Sequence, residues 1–350
     1  MNRRTRRTLL IAAAVLLMLA VAIFLRSKAP PEAARLLPES DGMIYINLQP
    51  LRAFLRKDLK PPHYDPDYKA FIDATGINWE RDLDQVAIAL HRMPNPNGPN
   101  GPVAYSMVFV GSVTGRKLND WLAAHAEARE NYAGKTIYDI PSDGRTVRVS
   151  QIGYDMVAVS NTPTPEQIHS IIDRHNTAAW PFARSTLLQR YYRDVPLLSI
   201  AWGVGQIGLP FSESGSVSIL GLQLPIPDNT AIIASLTPTL PLTNGFHLEG
   251  LLRCRVEEIA PSEQVAAGQA EALHTLITLF QQIAPPLADT PINNGFRELV
   301  KTAQVRRRKQ RVIVSATISP SLFAPSDLAP SGLQEKLPGA TTSPPDSASH

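Results

Sequence analysis

Cysteine is nearly absent: Cys254 is the only one in 350 residues. That excludes an intrachain disulfide framework and any zinc or iron–sulfur site built from cysteines alone. Charge is scarce, at 19% of residues against a usual figure of about 25%. The signatures of common chemistries are missing too. No H-E-x-x-H zinc motif occurs. Gly111-Ser112-Val113-Thr114-Gly115-Arg116-Lys117 has three residues between its glycines where a phosphate loop has four, and no Lys-Ser or Lys-Thr pair follows. Ser212-Glu213-Ser214-Gly215 lacks the glycine that precedes the serine of a nucleophile elbow. No catalytic residue, metal site or cofactor is expected from motifs.

Apolar residues are plentiful by contrast. At 44% of the chain they suffice for a sizeable core and exclude an intrinsically disordered protein. The 31 prolines argue against long uninterrupted helical arrays. The length suits two lobes of ordinary size.

The net charge of +3 is a local effect. Arg3, Arg4, Arg6, Arg7, Arg26 and Lys28 take 6 of the 34 basic residues, leaving 28 against 31 acidic ones beyond residue 28. A global nucleic-acid reading loses its support. Between these charges, residues 9–25 carry no polar side chain. At about 1.5 Å per residue they span roughly 26 Å, close to a ~30 Å hydrocarbon core that flanking arginines can complete. The arginines before the stretch predict a single-pass signal anchor in the cytoplasmic (inner) membrane, with the N-terminus cytoplasmic and the rest extracytoplasmic. The bilayer is then a partner through residues 9–25. A cleaved signal peptide is the alternative, with Ala20-Val21-Ala22 as its exit. Thr5-Arg6-Arg7-Thr8 weakly echoes a twin-arginine signal.

The organisation expected is a basic segment (1–8), the anchor (9–25), a linker (26–37), a first lobe (38–175), a connecting segment (176–196), a second lobe (197–318) and a disordered tail (319–350). Strands are predicted over 42–48, 86–90, 103–110, 136–140, 145–152, 154–160, 231–236, 246–256 and 312–318. Helices are predicted over 51–57, 68–74, 114–126 and 262–284, and after a capping box at Thr164-Pro165-Glu166-Gln167. Glu263-Gln264-Val265 echoes Glu166-Gln167-Ile168, which suggests a diverged duplication. The fold class is α+β: antiparallel sheets with helices packed on one face, in two related lobes behind the transmembrane helix.

Several side-chain groups invite a chemical reading. His63, Asp65 and Asp67 offer an imidazole and two carboxylates for a cation, but equally a helix start capped by Asp65. Glu80, Asp82 and Asp84 suit acid–base work or an acidic first turn after Asn78. His169 and His175, six apart, do not share a helix face. Cys254 alternates inward with Phe246, Leu248 and Leu252, as a core residue does. The run Arg306-Arg307-Arg308-Lys309-Gln310-Arg311 reads as an edge-strand guard, or as a patch for anionic lipid or an acidic partner.

Leu37-Pro38-Glu39-Ser40-Asp41, Ile44-Tyr45-Ile46-Asn47-Leu48, Thr75-Gly76-Ile77-Asn78-Trp79 with Arg81-Asp82-Leu83, and Tyr132-Ala133-Gly134-Lys135 together resemble uncharacterised signal-anchored bacterial envelope proteins. That resemblance implies an envelope location and no known activity. The function expected is a membrane-anchored, non-enzymatic binding module for an unknown envelope protein or ligand. The alternative is an envelope hydrolase with a site formed between the lobes.

Overall fold

The computed structural model describes Met18 and residues 29–55, 66–142, 144–177, 185–207, 216–219, 222–225, 230–239, 252–282 and 291–318. The expected anchor is not supported. Among the described residues no helix is long and apolar enough to cross a membrane, and residues 9–25, Met18 apart, lie outside them. The described helices are short or carry a polar face, as the 20-residue helix Glu263–Gln282 does with Glu263, Gln264, Gln269 and Glu271. The single-pass inner-membrane topology, the bilayer as partner and the membrane-anchored function therefore stand corrected. The basic segment 1–8 and the tail 319–350 also lie outside the described residues.

From residue 29 on, the first described element is α1 (Glu32–Leu36), inside the segment read as a linker, where Ala33, Ala34 and Leu36 are buried. It continues through β1 (Gly42–Asn47), α2 (Leu48–Leu55), α3 (Pro66–Thr75), α4 (Trp79–Asp82), β2 (Leu83–Arg92), β3 (Val103–Gly111) and α5 (Arg116–His125). Next come β4 (Ala128–Tyr132), β5 (Lys135–Ser142), β6 (Arg145–Gln151), β7 (Met156–Ser160), α6 (Glu166–Asn176), α7 (Thr186–Tyr191) and a 3-10 turn over Tyr192–Asp194. The second half holds β8 (Ala201–Ile207), the hairpin β9 (Ser216–Ile219) and β10 (Leu222–Pro225), β11 (Thr230–Pro238) and β12 (Leu252–Ile259). It ends with α8 (Glu263–Gln282), α9 (Pro291–Thr302), β13 (Gln304–Arg308) and β14 (Arg311–Ile318).

Among the described residues, twelve strands form one sheet in the order β13-β14-β12-β11-β8-β1-β2-β3-β7-β6-β5-β4, antiparallel throughout. The two halves are not separate sheets: β1 pairs with β8, Gly42 opposite Gly205 and Ile46 opposite Ala201. Outward from that pair the same order recurs. Three successive sheet strands are followed by a helical excursion, and a later strand returns to lie against the third. In this order α8 corresponds to α5, so the echo between Glu263 and Glu166 joins helices at different positions.

Helices cover both faces, not one. Met43 and Tyr45 of β1 point to the face packed by α1, α6 and α7, whose Ala33, Ile168, Ile171, Ile172 and Leu188 are sealed from water. The alternate residues point to the other face. There Leu118 and Leu122 of α5 pack on Tyr138 and Val157, and Leu299 of α9 packs near Leu252. Central strands that are apolar on both sides need this two-sided cover.

Candidate functional site

In the second half the sheet and its helices close on one another near Ala266 and Val312 but part further along. Strand alternation aims Cys254, Val256 and Glu258 of β12 toward α8 and α9. The register sets Ala316 opposite Cys254, Val314 opposite Val256 and Val312 opposite Glu258. On the other side, β11 sets Ile232 opposite Glu258. Leu273, Leu276, Ile277 and Phe280, spaced as one helical stripe, form the α8 wall, and Phe296, Leu299 and Val300 form the α9 wall. Between these surfaces lies a cavity of about 390 Å³. Its lining is almost wholly apolar, with Glu258, Gln269 and Cys254 as the exceptions. Burial pushes the Cys254 thiol up and makes it a poor nucleophile. It also pushes the Glu258 carboxyl up, and Glu258 Oε1 is sealed from solvent without a hydrogen-bond partner.

A second, smaller pocket of about 230 Å³ lies where β1 meets β8, the place a site between lobes would occupy. It is lined by Tyr45, Tyr192 and Trp202, with Tyr45 and Trp202 stacked at 5.6 Å. Tyr45 donates to Gln85 Oε1 at 3.0 Å, and burial, then Tyr192, pushes its phenol up to about 12. A phenol so firmly protonated is no base at neutral pH. Among the described lining residues there is no carboxylate or histidine to supply one, and the hydrolase reading gains nothing here.

The residues singled out in the sequence scatter. His63, Asp65 and Ser212-Glu213-Ser214-Gly215 lie outside the described residues, as do Phe246 and Leu248, while Asp67 stands in the first turn of α3. Asn78 caps α4 by accepting from Glu80 N at 3.0 Å. Asp82 pairs with Arg81 at 2.6 Å, which chiefly holds its carboxyl below the usual range, and Asp84 pairs with Arg52 at 2.6 Å. Carboxylates neutralised separately do not form an acid–base pair. In the Gly111–Gly115 loop three backbone amides, both glycines' among them, are already engaged within the fold. Gly111 N donates to Asp155 O, Ser112 N to Asp82 O and Gly115 N to Gln151 Oε1. His169 stacks on Tyr132 at 3.8 Å and sits 3.0 Å from Glu130, whereas His175 approaches Gly153. The capping box does not form: Pro165 takes the cap position without a side-chain bond, and Thr164 donates to Glu166 Oε2 at 3.2 Å.

The basic run divides. Arg306, Arg307 and Arg308 are exposed on β13, the outermost strand, and Lys309 turns the chain with φ +52°. Arg311 opens β14 and bonds Glu257 and Asp194.

One polar cluster escaped the sequence reading because its members lie far apart in the chain. His91 Nε2 is 2.9 Å from Ser106 Oγ, which is 3.2 Å from Ser160 Oγ, itself 2.9 Å from Thr162 Oγ1. Ser106 and Ser160 are wholly buried, so this resembles a catalytic relay only in composition. Burial holds the His91 imidazole below its ordinary value near 6.5, against the raising influence of Asp41 and the Glu39 backbone. The folded protein thus binds fewer protons at this site than the unfolded chain does. Stability is full above about pH 6.5 and falls as pH drops below it. Melting temperatures from pH 7.5 to 5 should show that decline, and His91→Gln should flatten it. An unchanged slope in the variant would assign the decline elsewhere.

No family model and no curated protein matches the chain, so the resemblance to signal-anchored envelope proteins is corrected along with the anchor. The solved structures similar to it include three crystal forms of TP0453. Form III is 12% identical, covering 84% of this chain and 96% of that one with a TM-score of 0.42. Form I is 11% identical, covering 84% and 95%, with a TM-score of 0.43. Form IV is 12% identical, covering 85% and 96%, with a TM-score of 0.41. Likenesses this loose transfer no activity, ligand or partner to this chain.

Proposed function

We propose that this protein binds a small apolar molecule between its sheet and helices α8 and α9. The observation that carries the reading is the cavity of about 390 Å³ with its nearly unbroken apolar lining. Ligand pockets run from about 300 to 1,000 Å³ and combine such a lining with very few polar groups. An apolar void also costs about 24 cal/mol per Å³. Left unfilled, such a lining costs stability in proportion to the apolar surface it leaves uncovered. A bound molecule returns that loss.

Filling the cavity from within tests the reading. Ala316→Phe projects a ring from the sheet, and Ala303→Phe does so from the end of α9. Titrated with Nile red, a neutral apolar dye, each variant should bind at least tenfold more weakly than the unaltered chain while keeping its melting temperature within a few degrees. Equal dye binding by the unaltered chain and both folded variants would place the dye elsewhere and end the proposal.

A further inference from the structure

We infer that Glu258 receives the polar end of the bound molecule, and that this end is a hydrogen-bond donor: a hydroxyl or an amine. The inference rests on the apolar-ligand reading above and narrows it to a class of ligand.

Two neighbouring acids on β12 are treated in opposite ways. Glu257 is 1% exposed and is bonded by Arg255 and Arg311, which share its face of the sheet. Glu258, one residue along, points to the other face. Its registered neighbours there are Ile232 of β11 and Val312 of β14, neither of which has a side-chain donor. The two arginines cannot reach it through the sheet. Oε1 is left sealed and without a partner among the described residues.

A buried acceptor with no donor is destabilising, and native folds leave few of them unexplained. Leucine or valine would close this part of the cavity without that cost. The carboxyl makes sense if the donor arrives with the ligand. An ionised carboxylate only accepts, and a protonated carboxyl still accepts at the oxygen that lacks the proton. A hydroxyl satisfies either state, donating to the carboxylate or accepting the O–H of the protonated carboxyl, whereas a partner with no hydrogen to donate leaves the ionised carboxylate unmet. Ethers, esters and hydrocarbons have no such hydrogen, and a ligand carboxylate would add a like charge in an apolar site. Alcohols and amines remain. The raised ionisation of Glu258 is consistent with a neutral hydroxyl partner, while an ammonium would instead hold the carboxylate charged.

Displacement of Nile red from the full chain by decanol, decylamine, decyl methyl ether and decanoate separates these heads on one chain length. Decanol or decylamine should compete at least tenfold better than the ether and decanoate. In Glu258→Leu that advantage should fall below threefold, with the ether competing at least as well as before. Glu258→Gln keeps an acceptor and loses the charge, so it should retain a preference for decanol and lose one for decylamine. The same ranking in the unaltered chain and in Glu258→Leu, or an ether equal to the alcohol, overturns the inference and leaves the apolar cavity standing. Dye binding that is indifferent to Ala316→Phe and Ala303→Phe overturns both.

Discussion

Gly111→Ala should destabilise the protein by roughly 3–5 kcal/mol, the largest loss expected from any single methyl group in the described structure. Gly111 ends β3 with φ +154°, a conformation that side chains rarely adopt. A Cβ there would lie 2.1 Å from Asp82 O, 2.9 Å from Asp84 N and 3.0 Å from Leu83 Cα. These are backbone atoms and cannot swing aside. The β2–β3 register shifts between Leu83 and Gln85, so the glycine fills an irregularity that brings the two backbones together. Gly115 is the control. It has φ +137° but nothing within 4 Å of a built Cβ, so Gly115→Ala carries the strain without the clash, about 1 kcal/mol. Urea midpoints of the two variants decide the matter. Equal losses would mean that the close approach contributes nothing.

Arg311→Met should cost about 3 kcal/mol, whereas Gln at Arg306, Arg307 or Arg308 should each change stability by less than about 0.5 kcal/mol. All four residues belong to one basic run, and only burial of their partners distinguishes them. Glu257 lies almost wholly inside, and Arg311 joins it to Asp194 in the 3-10 turn, 3.3 Å away. The hydrogen bond to Glu257 is the first cause holding the Arg311 guanidinium above its usual ionisation. Removing Arg311 leaves a sealed carboxylate with Arg255 alone. Arg311 is 36% exposed, so the loss belongs at the lower end for a buried pair. The double variant Glu257→Leu, Arg311→Met should be less destabilised than Arg311→Met, because it leaves no stranded charge. A double variant weaker than the single one would show that the pair itself stabilises the fold.

The strands that carry the sheet were visible from the sequence where both their faces are buried. β2 and β3 are apolar runs because helices cover them on two sides, and β14 because α8 and α9 cover its apolar face. β13 was not visible as a strand, since Arg306, Arg307 and Arg308 on a sheet edge have no apolar period to display. β4 was hidden for the same reason, with Ala128, Arg129, Glu130 and Asn131 exposed. α1 was read as a linker because five residues are too few to show a stripe. Its burial depends on contacts with α6 and with strands far along the chain. The β1–β8 pairing that joins the two halves into one sheet was not visible either, because it is a contact between residues some 160 apart that no local pattern encodes.

By itself the sequence determined the α+β class, the places of most central strands and of α5, α6 and α8, and the lack of any known catalytic motif. These follow from local properties: apolar period, caps, prolines and spacing. Only the tertiary structure decided that the halves share one sheet, that helices lie on both faces, and that a cavity opens under α8 and α9. It alone separated Glu257 from Glu258. Side chains alternate across a strand, so two adjacent acids face opposite ways. Which face meets arginines and which meets an apolar cavity depends on the register with β11 and β14 and on the helices laid over them.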